Sequence, residues 1–204
     1  MSSQPVIDVS HLPAHRFDSH APIWWGNLLM LVIESTMFGI VIACYFYVSQ
    51  NFFHWPPPKT DTPVLPNLLV PTVNFMILLL SLVPMVWVDR STRRGDKTAV
   101  KIGLIITIAM GMASIVLRWF EFPSMQYRWD SNVYGSVLWT TLGLHLGHLL
   151  TATLETAVLA AYVFLRGLDE KHRVDLTVTA VYWYWVVGVW VPIYGVLYFG
   201  PRLL

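Results

Sequence analysis

His145, His148 and Glu155 lie inside one long apolar stretch, Tyr134–Arg166. At helical spacing they fall within an arc of about 80°, with Thr141 on the same side. Glu34 lies in a second apolar stretch, on a face shared with Asn27, Met37, Val41 and Tyr45. An ionisable group at membrane depth is costly and marks a functional site by default. Three chemistries are open to this set. Glu and His side chains relay protons; His145, His148 and a carboxylate could hold zinc; or the four residues satisfy one another and neighbouring hydroxyls, as buried polar groups must. A b-type haem takes axial ligands from two helices, whereas both intramembrane histidines here share one helix, which argues against bis-histidine haem within the chain. Copper asks for a third nitrogen or a thiolate, and two histidines three apart with a distant Glu are a weak zinc signature. Mutual satisfaction is the reading that the residues favour, with a proton or substrate pathway as the sharper alternative. Nothing resembles a nucleophile–base arrangement or a phosphate loop.

These residues need helices to position them, and the composition says where. Of 204 residues, 55 % are hydrophobic and 12 % charged, whereas soluble chains carry roughly 25 % charged residues. This is the composition of an integral membrane protein. A net charge of +1 without a basic stripe offers nothing to nucleic acid. The single cysteine, Cys44, sits in an apolar run, which leaves no disulfide framework and no thiolate metal cluster. Residues 1–22 read as a polar arm with His11, His15 and His20, lacking the cationic start and apolar core of a cleavable signal.

Five spans follow, at about 23–48, 67–88, 98–119, 134–166 and 176–199. The predicted fold is all-α, a polytopic bundle of five transmembrane helices arranged around the fourth. Trp24 and Trp25 mark a membrane interface. Pro56-Pro57-Pro58 ends the first span in an extended loop, and Pro84 predicts a kink in the second. Gly143 and Gly147, opposite the histidine stripe, predict a notch for another helix. Arg118 and Glu121, at i,i+3 spacing, predict an ion pair at the water interface. Lys and Arg concentrate in the loops after the second and fourth spans, which places the N-terminus in the cytoplasm and the C-terminus outside. No broken, Gly-rich helix pair suggests a transporter.

Five motifs, in order, resemble subunit III of haem–copper respiratory oxidases, in the short form that lacks two N-terminal helices. They are Glu34 followed by Met37-Phe38 and Tyr45-Phe46; Trp55-Pro56-Pro57-Pro58; Trp119-Phe120-Glu121-Phe122; Tyr134-Gly135-Ser136 with Gly143-Leu144-His145-Leu146-Gly147-His148; and Tyr182-Trp183 through Val189-Trp190. The family's histidine and aspartate in the last motif are here Tyr184 and Gly188, and Glu155 has no counterpart in the pattern. The resemblance implies an accessory subunit with no cofactor and no catalytic residue of its own. Haem and copper then belong to partner subunits I and II. The implied work is to pack against subunit I, hold structural phospholipid and support proton uptake in a bacterial inner membrane, with Glu34, His145 and His148 as a structural and electrostatic cluster. Two alternatives stay open: an accessory protein of a quinol oxidase or nitric oxide reductase, and an independent small carrier or proton channel.

Overall fold

The computed structural model describes residues 21–57 and 65–203. The polar arm, with His11, His15 and His20, and the loop beginning at Pro58 lie outside the described residues. The described chain is five long helices: α1 (Pro22–Ser49), α2 (Leu69–Arg94), α3 (Lys97–Ser124), α4 (Val133–Arg166) and α5 (Glu170–Tyr194). α5 runs on through a π-helical turn, Gly195–Phe199, into a last turn, α6 (Gly200–Leu203). All five are long and apolar enough to cross a membrane. The protein is an all-α integral membrane bundle. α4, with 34 residues, is about 51 Å long at ~1.5 Å per residue, so it tilts or protrudes.

Polar residues at the helix ends set the turns. Gly95, at φ 74°, is a left-handed cap whose N–H reaches the carbonyls of Ser91 and Thr92. Asp96 follows at once as the N-cap of α3, accepting from the N–H groups of Thr98 and Ala99. Asn132 caps α4 through Gly135 N–H, and Asp169 caps α5 through His172 N–H. Arg173 ties the two basic ends together, donating to the carbonyls of Thr92 and Arg93 at 2.9 Å each. Pro84 sits inside α2 without ending it.

Packing follows from which faces are apolar and small. α2 lies along α3, α3 against α4, and α5 touches α1, α2 and α4. The most deeply buried helix is α5, which contributes Trp183, Val186, Val187, Trp190 and Ile193, all without exposed surface. That corrects the expectation of a bundle arranged around the fourth span. Aromatic side chains bury the most area, and the last span is where they crowd.

The glycine notch stays open in the structure. A Cβ on Gly143 or Gly147 would meet nothing within 4 Å; both face outward, and among the described residues no helix lies against them. Spacing marks a smooth face but not what covers it. Close approach occurs at Gly111, where a Cβ would stand 2.7 Å from Thr153 Oγ1 and 2.8 Å from the Trp183 ring. Gly135 is tighter still: the Arg128 carbonyl oxygen would lie 2.1 Å from its Cβ. Backbone cannot swing aside as a flexible side chain can.

Gly135→Ala should therefore lower stability by about 1–3 kcal/mol, the usual range for overpacking, whereas Gly143→Ala should leave it unchanged or slightly higher. Thermal unfolding of both variants in detergent checks this. A second expectation concerns acid. Hydrogen bonds from His172, first from its backbone N–H and then from its ring, hold the Asp169 carboxyl below the usual range. Its support for the first turn of α5 is present above the unfolded pKa, about 3.9. That support is lost as pH falls through the folded value. Amide exchange at His172 should lose protection in strong acid, while Gly135 N–H, capped by the uncharged Asn132, should not.

Candidate functional site

Leu31, Phe38 and Tyr45 recur every seven residues and form the buried seam of α1, with Glu34 at its edge. α1 runs antiparallel to α4, and this register brings Glu34 to His148. Glu34 Oε2 lies 2.9 Å from His148 Nε2, with the side chains 28 % and 12 % exposed. His148 Nδ1 lies 2.7 Å from the Leu144 carbonyl oxygen. A carbonyl only accepts, so Nδ1 carries a hydrogen. Nε2 then either accepts from a protonated Glu34 or donates, as imidazolium, to its carboxylate. One proton is shared in both cases, and the pair is neutral in both. Phe38 and Trp185 wall it in, their ring centroids 5.1 and 5.4 Å from that of His148. Trp185 Nε1 donates to Ser35 Oγ at 2.8 Å, which fixes the indole on α1.

His145 is elsewhere. It is fully buried, and Nε2 donates to the Val186 carbonyl at 3.1 Å. Its ring packs against Trp190 at a centroid distance of 4.4 Å. Glu155 stands apart from both, accepting from Thr179 Oγ1 at 2.6 Å. It lines a cavity of about 540 Å³ with Thr151 and Asp175. Of the expected polar cluster, Glu34 and His148 meet each other, Glu155 meets a neighbouring hydroxyl and His145 meets a backbone carbonyl. A shared arc on one helix spans enough width to face two neighbouring helices, here α1 and α5. Of the two departures, Tyr184 packs against the core and Gly188 faces outward.

Arg118 and Glu121 do pair, at 2.7 Å. The expected water interface is corrected: their side chains are 0 % and 1 % exposed. α3 continues past Trp119 to Ser124 and carries the pair into the interior. Tyr198, on the π-helical turn, donates to the other Glu121 oxygen. The Arg118 guanidinium lies 4.0 Å over the Trp190 ring, a cation–π contact strengthened where water is excluded. Sequence reasoning missed Trp190 and Tyr198 as partners, since the aromatic run marks a buried helix without showing which ring meets a charge.

No group of three or more His, Cys, Asp or Glu is placed to hold a metal ion among the described residues. The two histidines do not fit a common ion: both nitrogens of His148 and one of His145 are engaged in the hydrogen bonds above, on different neighbours.

The family model for cytochrome c oxidase subunit III matches residues 6–201. The chain belongs to the cytochrome c oxidase subunit III family. It is 28 % identical to cytochrome c oxidase subunit 3 of Pongo pygmaeus, across 90 % of this chain and 72 % of that one. It is 26 % identical to the protein of the same name from Thermostichus vulcanus, across 87 % of each. The Chondrus crispus protein is 24 % identical, across 86 % of this chain and 74 % of its own. Family membership makes this a non-catalytic subunit of an enzyme complex.

Arg118→Leu strands a carboxylate in the bundle and should cost about 3–5 kcal/mol, with the Arg118→Leu, Glu121→Leu double variant costing well under the sum of the single changes. A double-mutant cycle on unfolding in mixed micelles measures the difference.

Proposed function

We propose that this chain is the cofactor-free accessory subunit of a haem–copper respiratory oxidase, in aerobic electron transport coupled to proton translocation. Its partners are the catalytic subunit I, with subunit II in the same complex. The family match over residues 6–201 carries this reading. What the bundle offers such a partner is a fixed surface. Two of its intramembrane carboxyls are answered within the chain, Glu121 by Arg118 and Glu34 by His148. Its outward face on α4 keeps Gly143 and Gly147 open for a helix of subunit I. Glu34, His145 and His148 then act structurally and electrostatically, supporting the partner's proton uptake without transferring electrons.

Lipid fits the same surface. Beside Gly143 lies a cavity of about 540 Å³ lined by Trp119, Phe122, Pro123, Trp139 and Leu146, with Arg128 among its walls. Apolar walls suit an acyl chain and the guanidinium suits a phosphate headgroup. The chain would sit in a bacterial inner membrane. Its two basic ends, joined by Arg173, face the cytoplasm by the positive-inside rule, with the N-terminus inside and the C-terminus outside.

Purification in mild detergent through a tag on this chain tests the reading. A haem spectrum co-eluting with a histidine-rich larger chain supports it, and identification of that chain separates a cytochrome c oxidase from a quinol oxidase or nitric oxide reductase. A colourless, solitary protein overturns it in favour of a small carrier or channel. The Glu34→Ala, His148→Ala double variant should assemble, start at near-normal oxygen consumption and lose activity after fewer turnovers. A variant that assembles but is inactive from the first turnover would show that the pair does more than support.

A further inference from the structure

One layer of the bundle holds an unusual number of unanswered polar atoms. Asn74 on α2, Ser114 and Arg118 on α3, His145 on α4 and Trp190 on α5 have no exposed surface at all. Seven of their side-chain atoms have no hydrogen-bond partner in the protein: Asn74 Nδ2 and Oδ1, Ser114 Oγ, Arg118 Nε and Nη2, His145 Nδ1 and Trp190 Nε1.

Helix registers put these residues at one level. The bonds from Trp183 to Ser81 and between Tyr194 and Thr72 align α5 antiparallel to α2, which sets Asn74 opposite Trp190. Contact of Gly111 with Thr153 aligns α3 antiparallel to α4, which sets Arg118 opposite His145. The rings support the layer: Trp190 touches both the Arg118 guanidinium and the His145 ring. Asn74 faces Glu121 without meeting the geometry of a hydrogen bond. Ser114 stands one helical turn from Arg118 on the same buried face.

We propose that this layer is a buried hydration site, holding internal water between Arg118, Ser114, Asn74 and His145. Orphaned donors and acceptors at this depth are each destabilising, and buried water, which bonds about three polar groups at once, is the usual remedy. The atoms left open select the ligand. Arg118 Nε, Arg118 Nη2 and Trp190 Nε1 only donate, while His145 Nδ1 only accepts, because Nε2 carries the ring hydrogen. Water serves both kinds. An anion would serve the donors alone, in a layer where Glu121 already balances Arg118. The water completes the guanidinium's shell, which Glu121 fills on one nitrogen only.

A cryo-electron microscopy map of the full chain in its complex, at a resolution that shows ordered water, tests this. The expected result is rounded density within hydrogen-bonding distance of Arg118 Nε or Nη2 and of at least one among Ser114 Oγ, His145 Nδ1 and the Asn74 amide. Side chains closed directly on one another with no such density would overturn the proposal. Exchange of chloride for bromide should leave the site unlabelled, and an anomalous bromide peak in crystals would also overturn it. Ser114→Ala gives a test by sign. Removing a partner of bound water should lower Tm by a few degrees, whereas in a dry layer the loss of an unpaired hydroxyl leaves Tm unchanged or raises it.

Discussion

A charge that cannot reach water must be answered inside the protein, and Arg118, with no exposed surface, is such a charge. Its guanidinium is held by a carboxylate from the next turn of its own helix and by the face of Trp190 on α5. Glu121 in turn is held by Tyr198, a full helix length from the start of α5. Three helical segments are therefore placed by one ion pair. The pair is a poor source of stability compared with a well-packed apolar core, yet breaking it from one side is expensive. Such a contact selects one arrangement of helices over the alternatives, and α5 is centred in the bundle where that selection is made.

The second pair obeys different rules. Glu34 and His148 join α1 to the rest and lie at the edge, partly open. Besides its apolar seam of Leu31, Phe38 and Tyr45, α1 is tied to its neighbours by this pair, by the Trp185–Ser35 bond and by Asn27, which donates to the Val178 carbonyl. Because the Leu144 carbonyl fixes the hydrogen on Nδ1, the single proton shared between Glu34 and His148 Nε2 leaves the pair neutral whichever side holds it. Neutrality is what allows such a pair to face an apolar surrounding.

Much of the fold was legible in the amino-acid order. Five apolar runs separated by polar, Pro-containing or basic segments specify five crossing helices, and the caps at Asp96 and Asp169 stand where turn-forming residues stand. What was not legible depends on register between helices. Arg118 and Glu121 could be paired from their spacing, but Glu121 and Pro123 look like the end of a span, and only packing shows that α3 continues to Ser124 with the pair inside. His145 and His148 share a face of α4 by periodicity, yet one hydrogen-bonds to α5 and the other to α1. Gly143 and Gly147 differ from Gly111 only in what lies opposite, and a single helix carries no record of that. The five family motifs mark residues in these contacts, among them Gly135, whose role became clear only as a crossing point for the Arg128 backbone.

The turn between α2 and α3 consists of two residues, Gly95 and Asp96, each already committed to a cap. Two residues span at most about 7 Å. So short a link keeps the end of α2 beside the start of α3, and the close packing of these two helices along their length costs little loop entropy.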